Sequence, residues 1–212
     1  YATALMTRNG FKFSKEYIDR LYLSGKLIAD ITKSNNEISQ FGDNDSGRLF
    51  RFSNNNMLNY TNILATFSGL FPDSEFKKYG NNYPIDKQII QALSNKNSYI
   101  VPEVFQEQYK SESYNKLKYR KQISIPFHTQ VKLGDIKFIS YSDFGLHIFK
   151  SEYFYLAISS ISNKKMHHSW GHVHNDKLSL ELHIEGKDVI KDSGSYCYTS
   201  DVEMRNSFRG TK

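Results

Sequence analysis

At 212 residues, the chain is long enough for one or two domains with a real core. Its 39% hydrophobic content contains no apolar run near the ~18 residues needed to cross a bilayer, and its one cysteine, Cys197, excludes an internal disulfide framework or a Cys-based zinc site. The net charge of +6 favours polyanionic partners such as nucleic acid, anionic lipid or acidic polysaccharide. The 15 tyrosines suit sugar contacts, and they suit β-strands equally well.

In chain order, Tyr1-Ala2-Thr3-Ala4-Leu5-Met6 reads as the inside or end of a helix. With no initiating Met and an abrupt stop after Arg209-Gly210-Thr211-Lys212, the expectation is a piece of a longer protein. Ser14 is a candidate N-cap. After it, Ile18, Leu21, Ile28 and Ile31 fall on one helical face, with Lys15, Glu16, Asp19 and Lys26 elsewhere. Turn-rich breaks follow at Ser34-Asn35-Asn36 and from Gly42 to Gly47. Two further helices are expected from about Met57 to Leu70 and from about Ile85 to Leu93, the second starting behind Pro84. The basic segment Lys110 to Lys121 interleaves Lys116, Lys118, Arg120 and Lys121 with Tyr109, Tyr114 and Tyr119, as a charged polymer or a solvated connector would require. Beyond about Val131 the period becomes alternating. Strands are expected at Ile136 to Tyr141, Leu146 to Phe149, Tyr153 to Ile158 and Leu178 to Ile184, with a turn at Gly186-Lys187-Asp188 and a return strand at Val189-Ile190. In the fourth strand, Leu178, Leu180, Leu182 and Ile184 form the expected buried face, and Ser179, Glu181 and His183 the polar one. The expected organisation is α+β: a helical region with its connector over 1–125, then an antiparallel sheet region over 126–212.

The chemistry concentrates near the end, in Gly171-His172-Val173-His174-Asn175-Asp176 and Lys191-Asp192-Ser193-Gly194-Ser195-Tyr196. An extended backbone from His172 onward would put His172, His174 and Asp176 on one side of the strand, where half-buried imidazoles and carboxylates need partners. A His-x-His pair with a distant Asp offers nitrogen and oxygen donors of the kind a tetrahedral zinc site uses. The same pair also occurs as hydrogen-bonded strand residues. A cupin-like arrangement would need a Glu four or five residues on, whereas the next one is Glu181.

Three motifs in order carry a resemblance. They are Gly171-His172-Val173-His174-Asn175-Asp176-Lys177-Leu178-Ser179, Asp192-Ser193-Gly194-Ser195-Tyr196, and Arg205-Asn206-Ser207-Phe208-Arg209-Gly210-Thr211. Together they resemble the heparinase II/III-like family. Thr7-Arg8-Asn9-Gly10 and Phe41 to Leu49 resemble the end of that family's helical domain. The resemblance implies the end of an (α/α) toroid followed by an antiparallel β-sandwich. It implies a carbon–oxygen lyase acting on uronic-acid polysaccharides such as glycosaminoglycans. Such a lyase removes the C5 proton and expels the 4-linked oxygen, which requires a neutralised substrate carboxylate, a base and an acid.

By position, the resemblance makes His174 and Asp192 zinc ligands and His172 the active-site histidine, able to move a proton or hold the carboxylate. Arg205, Arg209 and Asn175 become substrate-binding candidates, Arg205 and Arg209 as bidentate partners of a sugar carboxylate. Asp176 and Asn175 can instead orient the histidines, and Asp43 and Asp45 lie on a loop that can face the cleft or serve its turns. The third zinc ligand is expected beyond Lys212 and the catalytic tyrosine before Tyr1. The implied partner is an acidic polysaccharide, not nucleic acid. A non-catalytic carbohydrate-binding or surface-polysaccharide pathway protein of the same fold is the alternative. A metal-dependent hydrolase built on His-x-His is a third reading, and needs an open metal position and a nearby base.

Overall fold

The computed structural model describes residues 1–42, 50, 52–102, 133–160, 177–192, 194 and 200–209, with only the backbone of Phe208 and Arg209. Helix α1 spans Ala2–Arg8. Helix α2, Lys15–Ile31, is capped by Ser14, whose Oγ accepts the Tyr17 N–H at 3.2 Å, and Glu16 sits in its electropositive first turn. Its buried side combines Ile18, Tyr22, Gly25 and Ala29. Gly25 permits a close approach: a Cβ there would lie 2.8 Å from the Phe67 ring.

Helix α3 spans Thr61–Leu70 and begins later than the apolar pattern from Met57 predicts. The asparagines explain the delay. Asn56 Oδ1 accepts the N–H groups of Leu58 and Asn59, and Asn59 Oδ1 accepts that of Thr61. These side chains satisfy the backbone in turn conformations and so compete with an earlier helix start. Helix α4, Lys77–Asn82, was not expected from the pattern. Helix α5, Pro84–Leu93, has its proline at the first helical position, where the missing N–H costs nothing. Ala4, Leu64, Ala65, Phe71, Phe76 and Ile90 form an apolar core among these helices.

Beyond α2 the chain folds back on itself. Thr32 bridges Ile38, and the Asn36 N–H donates to the Lys33 carbonyl at 3.1 Å, with Asn36 at φ +66°. This is the turn expected at Ser34-Asn35-Asn36.

The second region is a five-stranded antiparallel sheet in the order β1 (Lys137–Tyr141), β2 (Leu146–Lys150), β3 (Phe154–Ser159), β4 (Leu180–Ile184), β5 (Lys187–Ile190). The turn between β4 and β5 lies one residue earlier than expected. Ile184 pairs with Lys187, leaving Glu185 (φ +47°) and Gly186 (φ +82°) as a two-residue loop whose positive φ values match the right-handed twist of the strands. A last helix, α6, runs over Val202–Arg209, and Asp201 Oδ1 accepts the Met204 N–H at its start. The described chain is therefore α+β, helices followed by an antiparallel sheet. Among the described residues, no helix is long and apolar enough to cross a membrane.

The face assignment of β4 is reversed from the sequence expectation. Glu181 and His183 are 3% and 1% exposed, whereas Leu180 is 40% exposed and Leu178 75%. Alternation is preserved, but the polar set points toward the helices. The cause is what the helical region offers. Ile139, Leu146, Ile148, Tyr155 and Ala157 line the same sheet face and pack against Leu27, Ile31 and Phe41. Next to this apolar strip the 32–40 hairpin presents Lys33 and Ser34. Lys26, expected on the outer face of α2, is likewise buried, 2.5 Å from Asp30 and 3.4 Å from Glu75.

Candidate functional site

The hairpin after α2 and the strands β4 and β5 enclose a cleft of about 440 Å³, lined by Gln40, Phe41, Leu180, Glu181, Lys191 and Asp192 among others. A second cleft of about 460 Å³ lies in the helical region, beside Tyr60, Asn62 and Phe67, and contains none of the predicted site residues.

Asp192 reaches the first cleft just after β5. One carboxylate oxygen, Oδ1, accepts the Gly194 N–H at 2.6 Å, which closes the Asp-x-Gly turn seen in the sequence. Gly194 has φ +70°, and a Cβ on it would come within 2.8 Å of Gln40 Oε1. The turn thus needs glycine both for its backbone and for its contact with the hairpin. Among the described residues, the second Asp192 oxygen has no hydrogen-bond partner.

Behind the cleft lies an ionic network, buried at Lys33, Glu181 and His183, that no motif indicated. Lys33 Nζ is 3.3 Å from Glu181 Oε2 and 2.8 Å from Asp188 Oδ1. Glu181 Oε1 accepts the Gln40 N–H at 2.9 Å. His183 Nδ1 is 2.8 Å from Asp188 Oδ1, and its Nε2 is 2.8 Å from Ser34 Oγ. Lys191 Nζ bonds Glu37 at 2.9 Å and lies 3.4 Å from Asp188 Oδ2. Burial alone would raise the Asp188 pKa, but hydrogen bonds from Lys33, His183 and Lys191 hold it down at about 2. The partners in this network lie up to 155 residues apart in sequence, as Lys33 and Asp188 do. The clue available beforehand was two ionisable residues, Glu181 and His183, on one face of a regular strand.

A second junction anchors the sheet to α2. Lys150 Nζ donates to the carbonyls of Ala29, Asp30 and Thr32 at 2.8, 3.2 and 2.6 Å, placing a cation at the negative end of the helix. Burial lowers the Lys150 pKa to about 8. Tyr141 donates to Asp30 Oδ2 at 2.8 Å, and Ser39 donates to the deeply buried Tyr155 hydroxyl at 2.7 Å.

Of the predicted site residues, Asp192 lines the cleft. Arg205 lies on α6 and donates through Nε and Nη2 to Asn206 Oδ1, both at 3.2 Å; it does not line the cleft. Arg209 ends α6. His172, His174, Asn175 and Asp176 lie outside the described residues, as do Asp43, Asp45 and the basic segment from Lys110 to Lys121. Among the described residues, no group of three His, Cys, Asp or Glu side chains converges as a metal cage.

Residues 135–212 match the family described as heparinase II/III-like, C-terminal. No curated protein matches the sequence. Among solved structures, the chain is similar to heparan sulfate lyase HepC from Pedobacter heparinus, at 16% identity and a TM-score of 0.45, over 93% of this chain and 23% of that one. A mutant of the same lyase gives 14% identity and a TM-score of 0.46, with the same 93% and 23% coverage. A heparinase III gene product with methylated lysines gives 16% identity and 0.43, again over 93% and 23%. The chain thus spans about a quarter of the length of these enzymes. The family match thus covers the segment that holds the sheet, Asp192 and α6.

Proposed function

We propose that the chain is part of a polysaccharide lyase that cleaves uronic-acid-containing acidic glycans by β-elimination. The observation that supports this most directly is the placement of Asp192 inside the family-matched segment. It stands at the mouth of a cleft with one carboxylate oxygen uncommitted among the described residues. On this reading the helices are the end of an (α/α) toroid and the sheet is one layer of a β-sandwich.

The donor set suits zinc, since Asp192 would supply a carboxylate oxygen and His174 an imidazole nitrogen. A zinc ion bound there would tie the segment around His174 to the end of β5 and hold the cleft wall in shape. His172 then acts at the substrate, moving the C5 proton or holding the uronate carboxylate. Arg205 and Arg209 would neutralise that carboxylate, so that negative charge can build up at C5 as the proton leaves. Asn175 would bind the sugar or orient the histidines.

The test uses the longest protein that carries this chain, with heparan sulfate and other uronate polysaccharides as substrates. Ultraviolet absorbance of unsaturated uronate should appear, and His172→Ala should remove about 100-fold or more of the rate, the usual loss for one proton-transfer group. Zinc content should fall in both His174→Ala and Asp192→Ala. Turnover unchanged in His172→Ala, or no zinc in the unsubstituted protein, would overturn the corresponding assignment.

A further inference from the structure

The Ser34, His183 and Asp188 side chains make two consecutive hydrogen bonds of 2.8 Å, hydroxyl to Nε2 and Nδ1 to carboxylate. Their protons are fixed by their surroundings. Asp188 Oδ1 also receives Lys33 Nζ at 2.8 Å, so the ionised oxygen acts as acceptor to both neighbours. The neutral imidazole therefore carries its proton on Nδ1 and its lone pair on Nε2, and the Ser34 hydroxyl donates to Nε2. This is the arrangement of nucleophile, base and orienting acid in which a serine becomes reactive.

Three further features fit. Ser34 lies exposed on a turn, while His183 beneath it is 1% exposed and cannot swing away from either partner. The cluster around His183 contains two ammonium groups, Lys33 and Lys191, against three carboxylates, Glu37, Glu181 and Asp188. A proton gained by His183 therefore brings the cluster to neutrality. Asn36 N–H is used by the Lys33 carbonyl and Glu37 N–H by Asn35 Oδ1, which leaves the Ser34 and Asn35 N–H groups without partners among the described residues. They are donors open to charge on a carbonyl oxygen.

We propose that Ser34, His183 and Asp188 form a nucleophilic site that hydrolyses small, unhindered acyl esters. Ser34 Oγ bonds to the ester carbonyl carbon as its proton passes to His183 Nε2. The carbon–oxygen bond to the alcohol breaks, and the alcohol leaves with that proton. Water then attacks the acyl-serine, giving one proton to His183. The acid departs and His183 returns the proton to Ser34. Asp188 is the positioning residue.

The test is covalent labelling of the chain with a fluorophosphonate, mapped by mass spectrometry, alongside hydrolysis of p-nitrophenyl acetate. Ser34 should label about 100-fold faster than the other exposed serines, the scale that a positioned base contributes. Ser34→Ala should abolish the fast ester hydrolysis, and His183→Gln should abolish Ser34 labelling. Since His183 is buried, the labelling ratio within the unsubstituted chain stands as the primary readout. Ser34 labelling no faster than other serines, or ester hydrolysis unchanged in Ser34→Ala, would overturn the proposal.

Discussion

The helical core and the seam between helices and sheet are both buried, and they are built from opposite materials. Leu64, Phe71, Phe76 and Ile90 fill the first, in a cluster with no charged side chain. The second holds Lys33, Glu181, His183 and Asp188 in a network around an apolar strip. An apolar core tolerates a change of shape at moderate cost. An ionic seam is less tolerant of a missing partner, since Lys33, Glu181 and His183 there have lost their water and depend on one another and on Asp188. The seam specifies how the two regions meet, and the Asp192 cleft opens directly against it.

Removing one member of the seam should have the largest effect. Lys33→Met leaves the buried Glu181 beside no ammonium and the partly exposed Asp188 beside Lys191 alone, and should cost about 3–5 kcal/mol in chemical denaturation. Adding Glu181→Leu to it should recover part of that loss, because no carboxylate then remains buried without its lysine on that side. A core change is next. Leu64→Ala, at a fully buried site, should cost about 3 kcal/mol and lower the melting temperature without altering the seam. Lys150→Met takes the charged donor away from three carbonyls at the end of α2 and should cost about 2 kcal/mol.

The smallest effect is the pH dependence of Asp188. Its folded pKa of about 2 lies below the ordinary value of 3.8, so its stabilisation is complete above about pH 4 and lost as pH falls toward 2. Partial solvent exposure reduces this to about 1 kcal/mol. Acid titrations of the unsubstituted chain and of Asp188→Asn should differ in that window and be parallel above it.

Helices α2, α3 and α5 and the five strands are legible in the sequence because their signals are local, whereas α4 and α6 are not. Ser14 caps α2 and Pro84 opens α5 by chemistry confined to one turn. The α3 start was misplaced because apolar periodicity from Met57 outweighed the turn preference of Asn56 and Asn59, which won in the fold. The face of β4 was misassigned for a different reason. Period-two alternation gives two faces but does not say which one meets the rest of the protein. That depended on Lys33 and Ser34, far away in sequence. The Asp192 turn was legible as a motif, Asp followed by Gly at the position needing positive φ. The ionic network behind it was not, since it exists only once the hairpin and β4 are adjacent.

The lyase reading is tested most directly by incubating the longest protein carrying this chain with an acidic uronate polysaccharide and following the absorbance of unsaturated sugar ends. Product should form steadily, at a rate that falls about 100-fold or more in His172→Ala. Cleavage that yields no unsaturated ends, or equal rates with and without His172, would contradict it.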